Sequence, residues 1–131
     1  MQENTAKWLR KAEADFRSME WEMQRPSDPN LDAVCFFAQQ CIEKWLKALL
    51  VEANIPFPKT HDLQKLANLL HPIYPQLTDL SKSLGELTDL TSDVRYPYEF
   101  STTKDASESI AICKNVREIL RSVLGPTPLF P

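Results

Sequence analysis

Two glycines in 131 residues cannot build a glycine-rich phosphate loop, so neither a dinucleotide fingerprint nor a Walker loop is available. No apolar run approaches the roughly 18 residues of a membrane span, and the first stretch, MQENTAKWLRKAEAD, lacks the apolar segment of a signal peptide. Cysteine is sparse: Cys35, Cys41 and Cys113 fall in no paired pattern, which predicts reduced thiols in a cytoplasmic protein and no disulfide framework. The two histidines, His61 and His71, have no Cys or carboxylate at zinc-finger or HExxH spacing, so neither a metal nor another cofactor is expected. No serine, cysteine or histidine stands in a nucleophile signature. Charge of one sign is not in large excess either. Fifteen Lys+Arg against 18 Asp+Glu give −3, which argues against binding nucleic acid through bulk positive charge but not against a local basic site.

Proline, by contrast, is plentiful, and all ten prolines lie outside the stretches with helical periodicity. They divide the chain into windows 1–25, 30–55, 59–71, 76–96 and 98–125, where helices can run uninterrupted. In the first window Trp8, Leu9, Ala12, Phe16, Met19 and Met23 share one stripe, with Asn4 or Thr5 as the expected cap. The third places Leu63, Leu66, Ala67, Leu69 and Leu70 after a cap at Thr60 or Asp62. The fourth has Leu80, Leu84, Leu87, Thr91 and Val94 after Thr78, with Gly85 inside at a cost of about 1 kcal/mol relative to alanine. The last carries Ile112, Cys113, Val116, Ile119, Leu120, Val123 and Leu124, then the stop signal Gly125-Pro126. The pattern predicts an all-α, up-down bundle of four long helices plus one short helix over residues 1–125, followed by a loose tail over 126–131.

The second window differs. Asn30 caps it, and Leu31, Val34, Ala38, Cys41, Ile42, Trp45, Leu46 and Leu49 form a core stripe. On the opposite side lie Ala33, Phe36, Gln40, Glu43, Lys47 and Val51, apolar and polar mixed. One reading is a central helix covered on both sides within the subunit. The other is a dimer face through Phe36, Gln40, Glu43 and Lys47, since symmetric dimers are the commonest soluble oligomers.

The run Asp93-Val94-Arg95-Tyr96-Pro97-Tyr98-Glu99-Phe100 sets an arginine among carboxylates and tyrosines at a helix end. Arginine grips phosphate through a planar fork and tyrosines stack on bases. Alternatively Arg95 pairs with Asp93, Glu99 or Glu43 while the tyrosines fill the bundle end. His61, at a helix start, has a capping or structural role by default and a catalytic one second.

The run Phe37-Ala38-Gln39-Gln40-Cys41-Ile42-Glu43-Lys44-Trp45-Leu46-Lys47-Ala48-Leu49-Leu50 resembles the hallmark second helix of HEPN domains. Thr60-His61-Asp62-Leu63 and Arg95-Tyr96-Pro97 resemble that family's next two landmarks, in order, and the first helix with Trp8 and Asp15 extends the match over nearly the whole chain. The resemblance implies a helical bundle that forms homodimers with a cleft between subunits, often acting beside a minimal nucleotidyltransferase in what looks like a toxin–antitoxin module. Nucleotide or RNA is the expected ligand. The polar cluster of the second window and the Arg95-Tyr96-Pro97 landmark suggest Lys44, Lys47, Arg95 and Tyr96 for phosphate and base contacts, with His61 among the binding residues and Glu43 positioning an Arg or Lys across the cleft. The lack of a long apolar run predicts no membrane partner.

Active members of the family are metal-independent ribonucleases that carry an arginine, a polar residue and then, four to six residues on, a histidine. Histidine serves as acid or base on the 2′-hydroxyl, and arginine stabilises charge on phosphorus. Here no histidine follows Arg95, and Phe100, Ser101 and Thr102 stand at those spacings. The Arg95-Tyr96-Pro97 triplet matches the RYP-type branch, in which the nuclease motif is degenerate. The expectation is therefore a binding module rather than an enzyme, with a ribonuclease whose catalytic group is Arg95 as the alternative.

Overall fold

A computed structural model of the chain describes residues 1–92 and 99–127. Five α-helices follow in order, α1 (Glu3–Met23), α2 (Leu31–Glu52), α3 (Leu63–Leu70), α4 (Ser81–Ser92) and α5 (Thr103–Leu124), and no β-strand forms among the described residues. A 3-10 turn over Pro75–Leu80 leads into α4. The proline windows thus mark the helices, and the fold is all-α.

Local chemistry sets most of the ends. Asn30 caps α2 by accepting from the Ala33 N–H at 3.0 Å, and Asp62 caps α3 by accepting from Lys65 N–H at 3.1 Å. Thr102 and Asp105 form a reciprocal capping box on α5, and Gly125 ends that helix at φ 79°, a backbone value that suits glycine. Two expected caps are corrected. Asn4 and Thr5 lie inside α1, whose N-cap is Gln2. Gln2 N–H and the Thr5 hydroxyl both donate to Glu52 Oε1, at 3.0 and 2.9 Å, so a carboxylate from the far end of α2 ties down the start of α1. Thr78 lies inside the 3-10 turn, because Pro75 starts that tighter turn ahead of α4.

α2 is the axis of the bundle, packing against α1, α3, α4 and α5. Its core stripe buries Val34, Ala38, Cys41, Ile42, Trp45, Leu46 and Leu49 against Leu9 and Met19 of α1, Leu63 and Leu66 of α3, Leu84 and Leu87 of α4, and Val116 and Leu120 of α5. Each fully buried Val, Leu, Ile or Met among them contributes about 1.5–3 kcal/mol on removal from water. All three cysteines are buried and free. The Cys41 thiol is pushed far up, first by its hydrogen bond to Cys113 and then by burial, which makes it inert. Gly85 in α4 has a contact reason for its missing side chain. A Cβ there would lie 2.9 Å from the Gln64 amide nitrogen, which donates to the Ser81 carbonyl at 2.8 Å.

Candidate functional site

The face of α2 opposite its core stripe carries Phe36, Gln40, Glu43 and Lys47, and the chain treats the two ends of that face differently. Phe36 is half exposed and Gln40 partly exposed. Glu43 and Lys47 are covered within the subunit. His61, on the segment between α2 and α3, meets Glu43, the Gln39 amide fixes that segment by donating to the His61 carbonyl at 3.2 Å, and Trp8 of α1 lies against Lys47.

That placement builds a three-member cluster. Glu43 Oε1 meets His61 Nδ1 at 2.8 Å, and Glu43 Oε2 accepts from Lys47 Nζ at 3.1 Å. Both carboxylate oxygens are thus engaged, which is what a carboxylate with a side chain only 4% exposed requires. The imidazole, however, is 81% exposed. With Glu43 as acceptor the ring proton sits on Nδ1, leaving Nε2 directed away from the carboxylate. Lys47 Nζ also stands 5.5 Å over the Trp8 ring of α1. The result is an exposed imidazole held in one orientation by a buried anion, with a cation next to it.

Other expected site residues fall elsewhere. Lys44 turns toward α1 and pairs with Asp15. Arg95 and Tyr96 lie outside the described residues, but the chain on either side of 93–98 is anchored to the first turns of α2. Thr91 Oγ1 donates to the Cys35 carbonyl at 3.2 Å, and Ser101 N–H donates to Asp32 Oδ1 at 2.7 Å. Cys35 and Glu43 are eight positions apart on α2, about 12 Å along its axis. A cleft of about 580 Å³ opens beside these anchors, lined among others by Arg25, Asn30, Asp32 and Ser101.

Sequence reasoning did not name Gln39 and Trp8 as parts of the site. Gln39 sits one helical turn before Glu43, which is the only local signal it gives. Trp8 reads as a core residue from its stripe, and only the packing of α1 on α2 brings it over Lys47.

A second, half-buried carboxylate helps to define the first. Glu13 accepts from Trp45 Nε1 at 3.0 Å and from Arg117 Nε at 2.8 Å, with Arg117 Nη2 on its other oxygen. Arg117 stacks 4.2 Å from the Phe16 ring centroid. Burial alone raises the Glu13 pKa, but the hydrogen bonds from Arg117 and Trp45 and the arginine charges outweigh it and hold the carboxyl below its ordinary value. This network joins α1, α2 and α5 and reaches the surface at Glu118, which Arg117 and Arg121 both meet.

The fold and cluster define an all-α bundle whose central helix carries a polar site beneath an exposed histidine. The chain belongs to the HEPN domain family, whose model matches residues 5–123. Among solved structures it is similar to the crystal structure of an archaeal HEPN homologue, with a TM-score of 0.70 and 24% identity over 95% of this chain and 100% of that one, a likeness of fold. No curated protein matches the sequence. None of the helices among the described residues is long and apolar enough to cross a membrane.

Proposed function

We propose that the chain is a homodimeric nucleotide- or RNA-binding module of the HEPN type, of the RYP branch, acting with a minimal nucleotidyltransferase partner in a toxin–antitoxin-type system. One observation carries the binding part: a buried carboxylate, Glu43, holds an exposed imidazole, His61, beside Lys47. A hydrogen bond alone would not require burying an anion to fix a solvent-facing ring. A ring fixed in this way offers Nε2 to a phosphate or hydroxyl, and the neighbouring ammonium favours negative charge there. In this reading Arg95 forks onto phosphate and Tyr96 stacks on a base, Lys44 stays tied to Asp15, and half-exposed Phe36 with Gln40 forms the subunit seam. The nucleotidyltransferase and the toxin–antitoxin setting rest on the resemblance of the 37–50 run and the Thr60–Leu63 landmark.

The test is a titration of nucleotide and single-stranded RNA against wild type, Lys47→Ala and Arg95→Ala, with nucleotidyltransferase capture in parallel. At least a tenfold loss of affinity is expected in each variant, as for removal of a charge-assisted phosphate contact. Unchanged affinity and unchanged capture in both variants would remove these residues from the function.

A second reading, a metal-independent endoribonuclease using Arg95, gains support from the same ring. A histidine whose Nδ1 is held by a carboxylate has the oriented Nε2 that a general base needs to take the 2′-hydroxyl proton. Induced expression of wild type, His61→Ala and Arg95→Ala in bacteria decides it. Growth arrest with RNA fragmentation, abolished in both variants, is the ribonuclease outcome; intact RNA at verified soluble expression is the binding-module outcome.

A further inference from the structure

The outer half of α1 carries a surface that meets the cluster around Glu43 only at Trp8, over which Lys47 stands. The acids of α1 are mostly turned away from it or occupied. Glu13 faces Arg117, Asp15 pairs with Lys44, Glu20 with Lys114, and Glu22 holds Arg25 and the Asn30 N–H. Glu3, 3.7 Å from Lys7, is the acid that shares the outer face. The bases Lys7, Arg10, Lys11 and Arg17 are all exposed, and among the described residues Arg10, Lys11 and Arg17 have no ion pair. In a chain of net charge −3 this helix face is locally basic.

Two clefts flank the same helix, and each has a tryptophan. In the first, about 230 Å³, Trp8 and Val51 are lined by Asn4, Lys7 and Lys11. Phe57 meets the Trp8 ring edge-on at 6.5 Å and holds it in place. In the second, about 530 Å³, Trp21 and Phe37 lie with Arg17, Ser18 and Glu22. Trp21 is 76% exposed, the most exposed large hydrophobic side chain described. Thirteen positions separate the two tryptophans, about 20 Å along the helix. Lys11 and Arg17 lie in that interval.

We infer that single-stranded RNA binds obliquely across α1, whose two tryptophans stand about 140° apart around the helix axis, with bases stacking on Trp8 and Trp21 and the intervening phosphates meeting Lys11 and Arg17. The inference rests on the proposed nucleotide- or RNA-binding function and gives it a track. Flat rings interleaved with unpaired cations suit a strand whose bases are splayed out, whereas a duplex keeps its bases stacked inside. A protein partner fits less well. The apolar elements are two separate rings divided by charge, and a stable protein interface has a contiguous core depleted of charge.

The experiment uses a short labelled single-stranded oligouridine, with the duplex form as comparison, read by anisotropy and by tryptophan emission. Trp45 is fully buried, so quenching reports Trp8 and Trp21. Wild type is expected to bind the single strand with quenching. Trp21→Ala, at an exposed position that leaves the fold intact by circular dichroism, is expected to weaken binding about tenfold, and Trp21→Phe to restore most of it. The Lys11→Ala/Arg17→Ala double variant is expected to lower the slope of log affinity against log salt by about 1.4, roughly 0.7 for each phosphate contact on a single strand. If wild type binds but these variants match it in affinity and slope, the track is overturned while the function stands. If wild type binds no RNA, the track falls, and the proposed function then stands or falls with the nucleotide titration. If Trp21→Ala converts a dimer to monomer with RNA affinity unchanged, the face is a subunit seam and the inference is overturned.

Discussion

Two carboxylates sink into this bundle, and their surroundings differ in one respect. Glu13 is met by Arg117 and Trp45, and the side chains of its ion pair are enclosed alike, at 15% and 14% exposure. Glu43 is met by Lys47, which is nearly as buried as Glu43 itself, and by His61, whose ring is 81% exposed. The first network links three helices, and the exposed group it reaches, Glu118, is itself engaged by Arg117 at 3.3 Å and Arg121 at 3.7 Å. The second begins inside and ends in water. Exposure of the last group does not separate the two; on the proposed reading the difference is that Glu118 is met by Arg117 and Arg121, whereas the His61 ring turns Nε2 away from Glu43.

The largest expected effect tests the strut. Arg117→Ala leaves Glu13 buried without its main partner and should cost about 3 kcal/mol of stability, read as a shift in the urea midpoint. Ligand affinity, measured below the transition, should change little. A stability change under 1 kcal/mol, on the order of an exposed ion pair, would break the distinction from the structural side.

Next comes Lys47→Ala. It removes one of two groups on Glu43, so a stability loss of about 2 kcal/mol is expected alongside the weaker binding. The pairing with Trp8 also disappears, so the tryptophan emission of the folded protein should shift even without ligand. His61→Ala is the sharper variant, because the ring is exposed and little packing goes with it. Its stability cost is expected at about 1 kcal/mol, from the hydrogen bond lost at Glu43 Oε1, while its effect on affinity is expected to be large.

Acid sharpens the comparison further. The Glu13 carboxyl is depressed below its ordinary 4.5 in the folded protein. Its contribution is thus present in full above that unfolded value and is lost as pH falls through the folded one. Urea unfolding followed from neutral to acidic pH should show this loss in wild type, and Arg117→Met should flatten that part of the profile. A profile unaffected by Arg117→Met would assign the acid sensitivity elsewhere. The smallest effect concerns the frame. Gly85→Ala should be close to neutral, since the helix gain of about 1 kcal/mol is offset by the Gln64 contact; adding Gln64→Ala should release the gain.

Much of the frame was legible in the sequence because its signals are local. Prolines bracket the helices, Asn30 and Asp62 cap where side-chain chemistry says they can, and the 3.6-residue stripes are the faces buried or partly buried on the core, Val94 of the fourth lying outside the described residues. The start of α1 was not legible, because Glu52 fixes it from the other end of the α1–α2 pair. The Thr78 cap failed because Pro75 begins a tighter turn before α4. The site was half legible. Glu43, Lys47 and His61 could each be singled out, but their meeting depends on the path of the segment between α2 and α3 and on Gln39, a long-range contact with no local pattern. The same cause applies to the second face of α2: Glu43 and Lys47 share it with Phe36, and only tertiary structure shows that within the subunit the face changes from open to covered along its length.

The central claim is that the exposed imidazole over Glu43 contacts the ligand. The most direct measurement is the affinity of single-stranded RNA and of nucleotide for His61→Ala beside wild type, both verified as folded and in the same oligomeric state. At least a tenfold loss, with stability changed by only about 1 kcal/mol, is the predicted result. Equal affinity in the two proteins would contradict the account and make the Glu43–His61 pair a second strut.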